Sequence, residues 1–505
     1  MTRTINTDAV TEASLGSVLS GGGCMPLLAD QASAGLQVEA WLERDAWSGQ
    51  RLPPTCQSSD SQVDAAVAAA QRSFADGAWR GQPKRLRREV LLRWASLIEA
   101  DAARLAHLNC LETGRSLSSL LQDSLPKSVQ VLRWFAELLD KLDDRAVHTG
   151  EFGADFALVR REPIGVVAAI LPWNDPLVTL AWKVVPALAM GNAVIVKPSE
   201  HATLVVREAL QLAHQAGVPI GCLQMLTGDG LAGSRLVQRR DVRKVAFTGS
   251  TRTAAAIGAA AHRDGLKRLS FECGGKGAFI FGRHGREPAE FAGVVARNMF
   301  YNQGQICSAP SVVHVPHEAA DEVAALIGEA LKNFLPDHPL QTPGVGFMVS
   351  REAVAKARAG LHELDDAVFA CAVNDRHAPP RFADWSMTPT VLRGLPDSHP
   401  FWDTELFAPI LLIRPYRDVA EAVDFANASK FGLAAGVWSQ DIDECNELAS
   451  KLVFGNVHIN SWGDDPNQVP FGGVKDSGSG REKAADAFDD YSQTKSIFFR
   501  PRGAC

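Results

Sequence analysis

The sequence lacks an excess of positive charge, a long hydrophobic run and an apolar amino terminus. Its 505 residues carry a net charge of −7, which argues against binding to nucleic acid or to an anionic membrane surface. No segment reaches the ~18 consecutive apolar residues of a membrane span, so we expect no such span. The start, MTRTINTDAVTEASLG, has no hydrophobic segment, and we therefore predict no secretory signal.

Cysteine and histidine do not follow the patterns of disulfide-rich or metal-binding proteins. The nine cysteines are odd in number and widely scattered, which predicts no disulfide framework. No His/Cys pair has the spacing of metal ligands, so we expect no metal centre. These features favour a reducing compartment, and we predict a cytoplasmic protein in which a reactive thiol stays usable.

The chain is long enough for two to four domains, and its apolar pattern indicates an α/β fold. Its first 60 residues are polar and weakly periodic, which predicts a loose start. Further on, apolar runs alternate with helical segments, which predicts a doubly wound parallel sheet with ligands at the carboxyl ends of its strands. The predicted strands are 165–171, 193–198, 223–226 and 242–247. The predicted helices are 63–108, 126–142, 175–190, 200–216, 230–239 and 251–262. A second α/β region covers about 275–475.

The most informative residue is Cys307, which lies in Phe-Tyr-Asn-Gln-Gly-Gln-Ile-Cys-Ser-Ala, residues 300–309. A thiol among small and polar residues, shortly after a glycine, indicates a chemical reagent rather than core packing. Glu272 lies about thirty-five residues upstream, in Phe-Glu-Cys-Gly-Gly-Lys, residues 271–276. Each residue lies near a glycine, which has no side chain and lets neighbouring backbone segments approach it closely. A soft nucleophile and a carboxylate base in this setting predict covalent catalysis.

A glycine pattern that follows a predicted strand is a candidate for cofactor binding. The segment Gly228-Asp-Gly230-Leu-Ala-Gly233 fits the dinucleotide-binding pattern G-x-G-x-x-G. It lacks the acidic ribose partner that this fingerprint places about twenty residues further on. A turn that is rich in glycine for packing explains the segment equally well.

A second cofactor candidate is Phe247-Thr-Gly249-Ser250-Thr, which lies between a predicted strand and a predicted helix. Gly249 and Ser250 would present backbone N–H groups and a hydroxyl to a phosphate at the start of that helix, where anions are favoured. The alternative is a simple helix cap formed by the same residues.

A third candidate, Lys197-Pro-Ser199-Glu200, closes another predicted strand. Glu200 is the residue type that accepts hydrogen bonds from a ribose diol, and its charge would repel a 2′-phosphate. The segment therefore favours NAD over NADP, although NADP stays possible. The alternative is that Glu200 only caps a helix.

Seven motifs occur together in the order and spacing that are typical of one enzyme family. From about residue 60 to 500 the chain resembles the aldehyde dehydrogenase superfamily. Within it, Arg133-Trp-Phe-Ala and Asp140-Lys-Leu-Asp143 are most similar to bacterial γ-glutamyl-aminobutyraldehyde and ω-aminoaldehyde dehydrogenases. The seven motifs are Pro172-Trp-Asn174, Lys197-Pro-Ser-Glu200, Phe247-Thr-Gly-Ser250, Glu272, Cys307, Glu405-Leu-Phe407 and Pro470-Phe-Gly-Gly473.

The resemblance implies a fold of three parts. A Rossmann-type parallel sheet would form the NAD-binding domain, an α/β domain would carry catalysis, and a β-hairpin flap would join the last strand of the chain. Apolar strands on an exposed flap need a partner edge, so the resemblance implies a homodimer or homotetramer. The expected ranges are 1–144 and 163–274 for the first domain, 275–485 for the second, and 145–162 with 486–505 for the flap.

The resemblance also implies catalytic roles. Cys307 would add to the aldehyde carbon, and the Asn174 side-chain amide and the Cys307 N–H would hold the resulting oxyanion. Hydride would leave to the nicotinamide, and Glu272 would deprotonate the water that hydrolyses the thioester. Lys183 and Glu482 would form a proton relay behind Glu272. Alternatively, Lys183 could cap a helix and Glu482 could be a surface charge.

The family's cofactor site transfers to this chain residue by residue. Glu405 would bind the nicotinamide ribose, and Phe407 would pack near the ring unless it belongs to the core. Trp173 and Ile170 would form the wall. With the candidates above, the predicted cofactor residues are Ile170, Trp173, Lys197, Ser199, Glu200, Gly230, Gly233, Phe247, Gly249, Ser250, Glu405 and Phe407.

Two acidic residues make the predicted substrate tunnel unusual. Asp175 stands where many members of the family have an aromatic residue, and Asp465 falls near a position that is often aromatic. Carboxylates beside aromatic rings favour a cation, so we predict an aldehyde with an amine or another polar tail. The alternative for Asp175 is a cap on the next helix. The predicted substrate residues are Asp175, Trp182, Tyr301, Ile306, Ser308, Trp462 and Asp465, with Asp464 beside them.

Two other functions remain open at the level of sequence. A CoA-acylating aldehyde dehydrogenase would use the same thiol, but Glu272 favours water as the acyl acceptor. A non-catalytic family member, kept as a binding or structural protein, would be indicated by loss of Cys307 or Glu272, and both residues are present.

Overall fold

The computed structural model describes most of the chain after residue 51, together with three short earlier pieces. Much of the start that we expected to be loose, and Asp464 of the predicted tunnel, lie outside the described residues. The described ranges are 24–29, 41–42, 47–48, 52–148, 156–340, 345–365, 368–372, 380–463 and 465–499.

The strands of the described residues are numbered in chain order. They are β1 (Trp41–Leu42), β2 (Thr55–Cys56), β3 (Arg145–His148), β4 (Phe156–Pro163), β5 (Val166–Leu171), β6 (Ala193–Pro198), β7 (Leu223–Met225), β8 (Val242–Thr248), β9 (Arg268–Glu272), β10 (Ala278–Phe281), β11 (Val312–Pro316), β12 (Phe369–Ala372), β13 (Thr390–Arg393), β14 (Ile410–Tyr416), β15 (Ala434–Trp438), β16 (Asn456–Ile459), β17 (Gly478–Ser479) and β18 (Ser492–Phe499).

The α-helices of the described residues are numbered in the same way. They are α1 (Asp60–Ala75), α2 (Lys84–Ala100), α3 (Ala102–Thr113), α4 (Leu117–Ser119), α5 (Leu125–Leu138), α6 (Pro176–Ala189), α7 (Thr203–Ala216), α8 (Gly230–Gln238), α9 (Thr251–Ala261), α10 (Pro288–Phe300), α11 (Ala320–Ala330), α12 (Arg351–His362), α13 (Val419–Ala428), α14 (Ile442–Lys451) and α15 (Ala487–Asp490).

A six-stranded sheet has the order β17-β9-β8-β5-β6-β7, and its strands are parallel except for β17. All six side chains of β5 are buried, as expected for a strand whose two faces are both covered. The predicted doubly wound sheet is confirmed, because its strands and intervening helices lie within a few residues of their expected bounds. Its carboxyl edge collects the residues that end β5, β6, β8 and β9.

A seven-stranded sheet has the order β12-β13-β14-β11-β10-β15-β16, with β12 antiparallel to its neighbour. Its parallel strands account for the predicted second α/β region. Strand β17 follows this region in the chain but pairs with β9, where Gly478 lies opposite Glu272. This crossing brings residues 471–482 back to the carboxyl edge of the first sheet.

The third sheet is antiparallel and has the order β18-β4-β3. Strand β18 pairs with β4 along its full length, from Ser492 opposite Pro163 to Phe499 opposite Phe156. Its outer end is apolar and exposed, since Phe498 retains 69% of its accessible surface. The predicted hairpin, with the last strand beside it, is therefore present.

Candidate functional site

The turn after β9 runs along the loop that carries Cys307, and glycine makes this close approach possible. A β-carbon on Gly275 would collide with the Cys307 carbonyl oxygen, and one on Gly277 would lie 2.5 Å from the Ala309 carbonyl oxygen. A β-carbon on Gly274 would collide with the carboxylate of Glu405. The Gly275 N–H donates to that carboxylate at 2.9 Å. The turn thus holds Glu272, Glu405 and Cys307 together.

The Cys307 loop is held by buried hydrogen bonds. Asn302 and Gln303 adopt left-handed backbone conformations, with φ of 48° and 56°. Gln305 fixes the loop, because its amide nitrogen donates to the Asn302 carbonyl at 3.0 Å and its oxygen accepts from the Val349 N–H at 2.9 Å. After the thiol, Trp462 donates from Nε1 to the Ser308 carbonyl at 2.9 Å. Trp462 therefore positions the loop.

The thiol of Cys307 is half-buried. Its pKa is raised to about 12, mainly by burial and also by the charges of Glu405 and Glu272. The backbone N–H groups of Ser308 and Cys307 oppose this rise. A nucleophilic thiolate at this position therefore needs a nearby group that takes its proton.

Glu272 ends β9 and is 5% exposed. Burial raises its pKa well above the usual value, Glu482 adds to the rise, and Lys183 opposes it. Its Oε2 atom has no hydrogen-bond partner among the described residues. A buried carboxyl with a raised pKa and an unused oxygen is suited to accept a proton from a thiol or a water.

Lys183 and Glu482 form a buried ion pair, with side-chain exposures of 0% and 4%. Lys183 lies inside α6, and Glu482 exchanges two backbone hydrogen bonds with Phe471 at 2.7 and 2.8 Å. The alternatives of a helix-capping lysine and a surface glutamate are therefore wrong. The pair lies beside Glu272, as the predicted relay requires, because both of its charges act on the Glu272 pKa.

Asn174 lies between β5 and α6 and faces the Cys307 loop. Its Nδ2 donates to the Gln305 carbonyl at 3.0 Å, and its own carbonyl accepts from Arg115 at 3.3 Å. A side-chain amide has two N–H groups, so one remains for an oxyanion.

The cofactor candidates of β5, β6 and α8 meet at the carboxyl edge of the first sheet. A β-carbon on Gly233 would lie 3.8 Å from Lys197 and 3.9 Å from Ile170, and the space around Gly230 is open to 4 Å. Lys197 is buried, which lowers its pKa, and its ammonium lies 4.0 Å from Glu200. An open cleft with a buried cation and a carboxylate at its rim fits a nucleotide with a ribose diol.

The expected role of Gly249 is corrected by the structure. Its N–H donates to the Glu272 carbonyl at 3.0 Å and so is not presented to a phosphate. Its lack of a β-carbon makes room for the Phe247 ring. Ser250 caps α9 by accepting from the Thr253 N–H, which is the alternative foreseen for this segment. Ser199 likewise caps the short turn that follows β6.

The nicotinamide side of the predicted cofactor site is lined by Glu405, Phe407, Ile306 and Trp173. Glu405, Phe407 and Ile306 line one pocket with Cys307. Phe407 has a φ of 51°, and its ring meets Trp173 edge-on at 5.7 Å between centroids. Phe407 therefore faces this pocket instead of packing only in the core.

A buried arginine that sequence reasoning missed organises the predicted substrate wall. Arg115, 1% exposed, pairs with Asp175 at 3.1 Å and with Asp123 at 3.3 Å, and it also contacts the Tyr301 hydroxyl. That hydroxyl donates to Asp123 at 2.8 Å. Asp175 starts α6, but its side chain makes no cap hydrogen bond. From the sequence, Arg115 was assigned no role.

A second part of the wall surrounds Trp182. Its ring lies 5.3 Å from Phe471, and the Lys483 ammonium lies 5.9 Å from each of the two ring centroids. Asp465 lies 3.7 Å from the His458 imidazole, and its carbonyl accepts from Lys483 at 2.7 Å. Sequence reasoning missed Lys483, because only the fold brings it to Trp182.

The thiol and the buried carboxyl lie near the carboxyl edge of a parallel sheet, the edge at which such α/β folds bind their ligands. The sequence profile described as "Aldehyde dehydrogenase family" matches residues 44–497. The chain belongs to this family. The predicted family, fold and enzyme class are therefore confirmed.

Several characterised proteins are similar to the chain over most of their length. The NADP/NAD-dependent aldehyde dehydrogenase PuuC of Escherichia coli K12 is 34% identical, over 86% of this chain and 87% of its own. The aminoacetaldehyde dehydrogenase of Pseudomonas aeruginosa is 35% identical, over 89% and 90%. An indole-3-acetaldehyde dehydrogenase solved with NAD+ superposes with a TM-score of 0.87 at 31% identity, covering 94% of this chain and 99% of that one.

The described residues contain neither a candidate metal cluster nor a membrane-spanning helix. No group of three or more His, Cys, Asp or Glu side chains in this part of the chain could hold a metal ion. Within the same residues, no helix is long and apolar enough to cross a membrane.

Proposed function

We propose that the protein oxidises an aldehyde to the carboxylic acid, with NAD as the hydride acceptor and Cys307 as the nucleophile. The observation that carries this proposal is the glycine turn after Glu272, which packs against the backbone of Cys307 and donates a hydrogen bond to the Glu405 carboxylate. The cleft of Lys197, Glu200 and Gly233 would hold the nucleotide, and Glu405 and Phe407 its nicotinamide half. NAD is proposed because Glu200 suits a free ribose diol.

The residues of the site divide the work between them. Glu272 takes the Cys307 proton, and the thiolate bonds to the aldehyde carbon. One N–H of Asn174 and the Cys307 N–H stabilise the oxygen as it becomes negative. When bound, the nicotinamide ring accepts hydride, which leaves a thioester on Cys307. The Lys183–Glu482 pair passes the first proton away, so that Glu272 is a carboxylate again and removes a proton from the water that attacks the thioester. The carbon–sulfur bond then breaks, which releases the carboxylic acid and the Cys307 sulfur.

The predicted amine tail of the substrate remains untested, and the structure weakens its basis. Asp175 already has a cationic partner in Arg115 at 3.1 Å and a hydrogen bond from Ser124 at 2.5 Å. Asp465 faces His458. Carboxylates with such partners offer little extra attraction to an ammonium group.

Oligomer, location and domain bounds are further proposals. The exposed apolar end of β18 beside β4 supports a homodimer or homotetramer. The free thiols of Cys110, Cys222, Cys273, Cys307 and Cys445 support a reducing cytoplasm. The three large sheets support domains at 1–144 with 163–274, at 275–485, and at 145–162 with 486–505.

Absorbance of NADH with a panel of aldehydes tests the function. We expect NAD-dependent oxidation that does not need CoA and that is lost in Cys307→Ala. A matched control is Cys445→Ala, which removes a buried thiol from α14 and should keep the activity. NADH formation that survives Cys307→Ala would refute the mechanism, and an absolute need for CoA would favour the acylating alternative.

A further inference from the structure

Lys483 is a buried cation with few partners. It is 3% exposed and has a left-handed φ of 64°. Its ammonium donates to the Asp465 carbonyl at 2.7 Å. No carboxylate oxygen lies within 4.0 Å of it among the described residues, although an ammonium group has three donors. A buried charge in this state is costly unless something else pairs with it.

A second donor without a partner lies beside Lys483. The indole N–H of Trp182 is buried and donates to no atom of the described residues. Trp182 and Phe471 pack against each other, and the Lys483 ammonium is equally far from both rings. Two donors of hydrogen bonds therefore lie together with a shortage of acceptors.

This donor pair is connected to the reactive thiol by a short chain of contacts. Lys483 holds the Asp465 backbone, and Trp462 in the same loop holds the Ser308 carbonyl next to Cys307. On the other side, Phe471 is paired with Glu482 and precedes Gly472, which borders the Glu272 carboxyl. The donors are thus linked to the thiol and to its base through Asp465, Trp462 and Phe471, of which Asp465 and Trp462 belong to the predicted substrate tunnel.

The neighbouring charges do not fully compensate Lys483. Lys127 raises the local positive potential, Asp465 lowers it, and burial dominates, so that the Lys483 pKa falls to about 8. Lys127 is bonded to Asp123 at 2.8 Å, and Asp465 faces His458 at 3.7 Å. The Asp465 charge acts more strongly on Lys483 than the Lys127 charge does, but it does not offset the effect of burial, so the buried ammonium is only partly compensated.

We propose that the Lys483 ammonium and the Trp182 indole N–H bind a carboxylate at the far end of the aldehyde. The substrate class is then an aldehyde with an ω-carboxylate, the semialdehyde of a dicarboxylic acid. This inference rests on the proposed aldehyde oxidation and replaces the amine tail with one of opposite charge. Lys483 determines specificity and takes no part in the chemical steps.

A panel of aldehydes of equal length tests the proposal on the wild-type enzyme. Pentanal, 5-aminopentanal and 5-oxopentanoate are compared at pH 7, with the corresponding six-carbon set beside them. We expect kcat/KM for the carboxylate to exceed that of the alkyl aldehyde by about tenfold or more, mainly through KM, as for hydrogen bonds to charged groups. The amine should be the poorest of the three.

Variants then assign the preference to Lys483. In Lys483→Met the ratio of carboxylate to alkyl aldehyde should fall to near one, and Lys483→Arg should retain part of it. Lys127→Met is the matched control: its side chain is 55% exposed and paired with Asp123, so most of the preference should remain.

Failure of this inference is distinct from failure of the proposed function. If aldehydes are oxidised but the carboxylate is no better than the alkyl aldehyde in both sets, the inference is overturned and the function stands. A preference that persists in Lys483→Met also overturns it. If no aldehyde reduces NAD, or if Cys307→Ala stays active, the proposed function itself fails. If a variant does not fold, the comparison of carboxylate and alkyl aldehyde on the wild-type enzyme still tests the inference.

Discussion

At the scale of the residue, the thiol and the base share an environment that raises the pKa of both. Burial is the main cause for each, and the charge of Glu272 acts on Cys307. Transfer of the thiol proton to Glu272 therefore replaces one buried charge by another and avoids creating a pair of adjacent anions. The same residue can later activate water because it returns to the carboxylate once its proton leaves through Glu482 and Lys183.

Glu272→Gln tests this role through rate and pH. We expect kcat to fall by about a hundredfold or more, the usual contribution of a general base. In the wild type the base works as the carboxylate, so activity should be lost as pH falls through its pKa. Since burial raises that pKa, the loss should begin well above the usual glutamate value of about 4.3.

The measurement is kcat from pH 5 to 9 for the wild type and Glu272→Gln. The variant should lack the acidic limb while it still binds NAD. An acidic limb that stays at the same pH in the variant would assign it to another group, and the role of Glu272 would be wrong.

At the scale of the element, Arg115 joins the end of α3 to the start of α6 and to the Cys307 loop. Its removal leaves the half-buried Asp175 without its cation and leaves Asp123 with Lys127 alone. We expect Arg115→Met to lower the free energy of unfolding by about 3–5 kcal/mol, as for other broken buried ion pairs. Urea unfolding provides the measurement.

The control for Arg115 is Arg85→Met, which breaks an exposed pair with Glu89 in α2. That pair should contribute less than about 1 kcal/mol. Similar losses in the two variants would mean that the Arg115 cluster does not stabilise the substrate wall.

The turn after β9 makes a second prediction at this scale. In Gly275→Ala the new methyl group would meet the Cys307 carbonyl, so the loop must shift. A displacement of ~1 Å at reacting groups can lower activity about a hundredfold, and we expect kcat/KM to fall by that order. Gly293→Ala in α10 is the control, because its methyl group would meet no atom within 4 Å. It should keep activity and gain up to about 1 kcal/mol of stability. Equal activity in the two variants would contradict the close approach.

At the scale of the whole molecule, the β-hairpin flap and the last strand predict that copies of the chain associate into an oligomer. Phe498 is 69% exposed on β18, and the Phe156 and Phe499 rings stack beside it at 4.5 Å. We expect light scattering to show a dimer or tetramer for the wild type and smaller particles for Phe498→Glu. Leu266→Glu, at a residue 84% exposed after α9, should leave the mass unchanged. A monomeric wild type would contradict the proposal.

The sequence predicted the first sheet well, because its strands are continuous apolar runs and its helices have regular spacing. It also predicted Cys307, Glu272 and Asn174 as a group, because their motifs resemble one family. It did not predict that the Gly249 N–H bonds to the Glu272 carbonyl, since that contact joins two strands. Arg115 and Lys483 were missed for the same reason: each is an ordinary residue whose role depends on distant neighbours.

The sequence by itself determined the fold class, the family and the chemistry of the thiol, because these depend on periodicity and on residue types in a fixed order. Only the tertiary structure decided how charges pair around the substrate. From the sequence alone, Asp175 would be interpreted as a carboxylate without a cationic partner. In the fold, Arg115, sixty positions earlier in the chain, lies beside it. From the sequence alone, Lys483 would be interpreted as a surface cation. In the fold, the chain returns along β17 to the first sheet, and Lys483 is buried against Trp182. The energy of a charge depends on its surroundings in space, which a linear pattern does not contain.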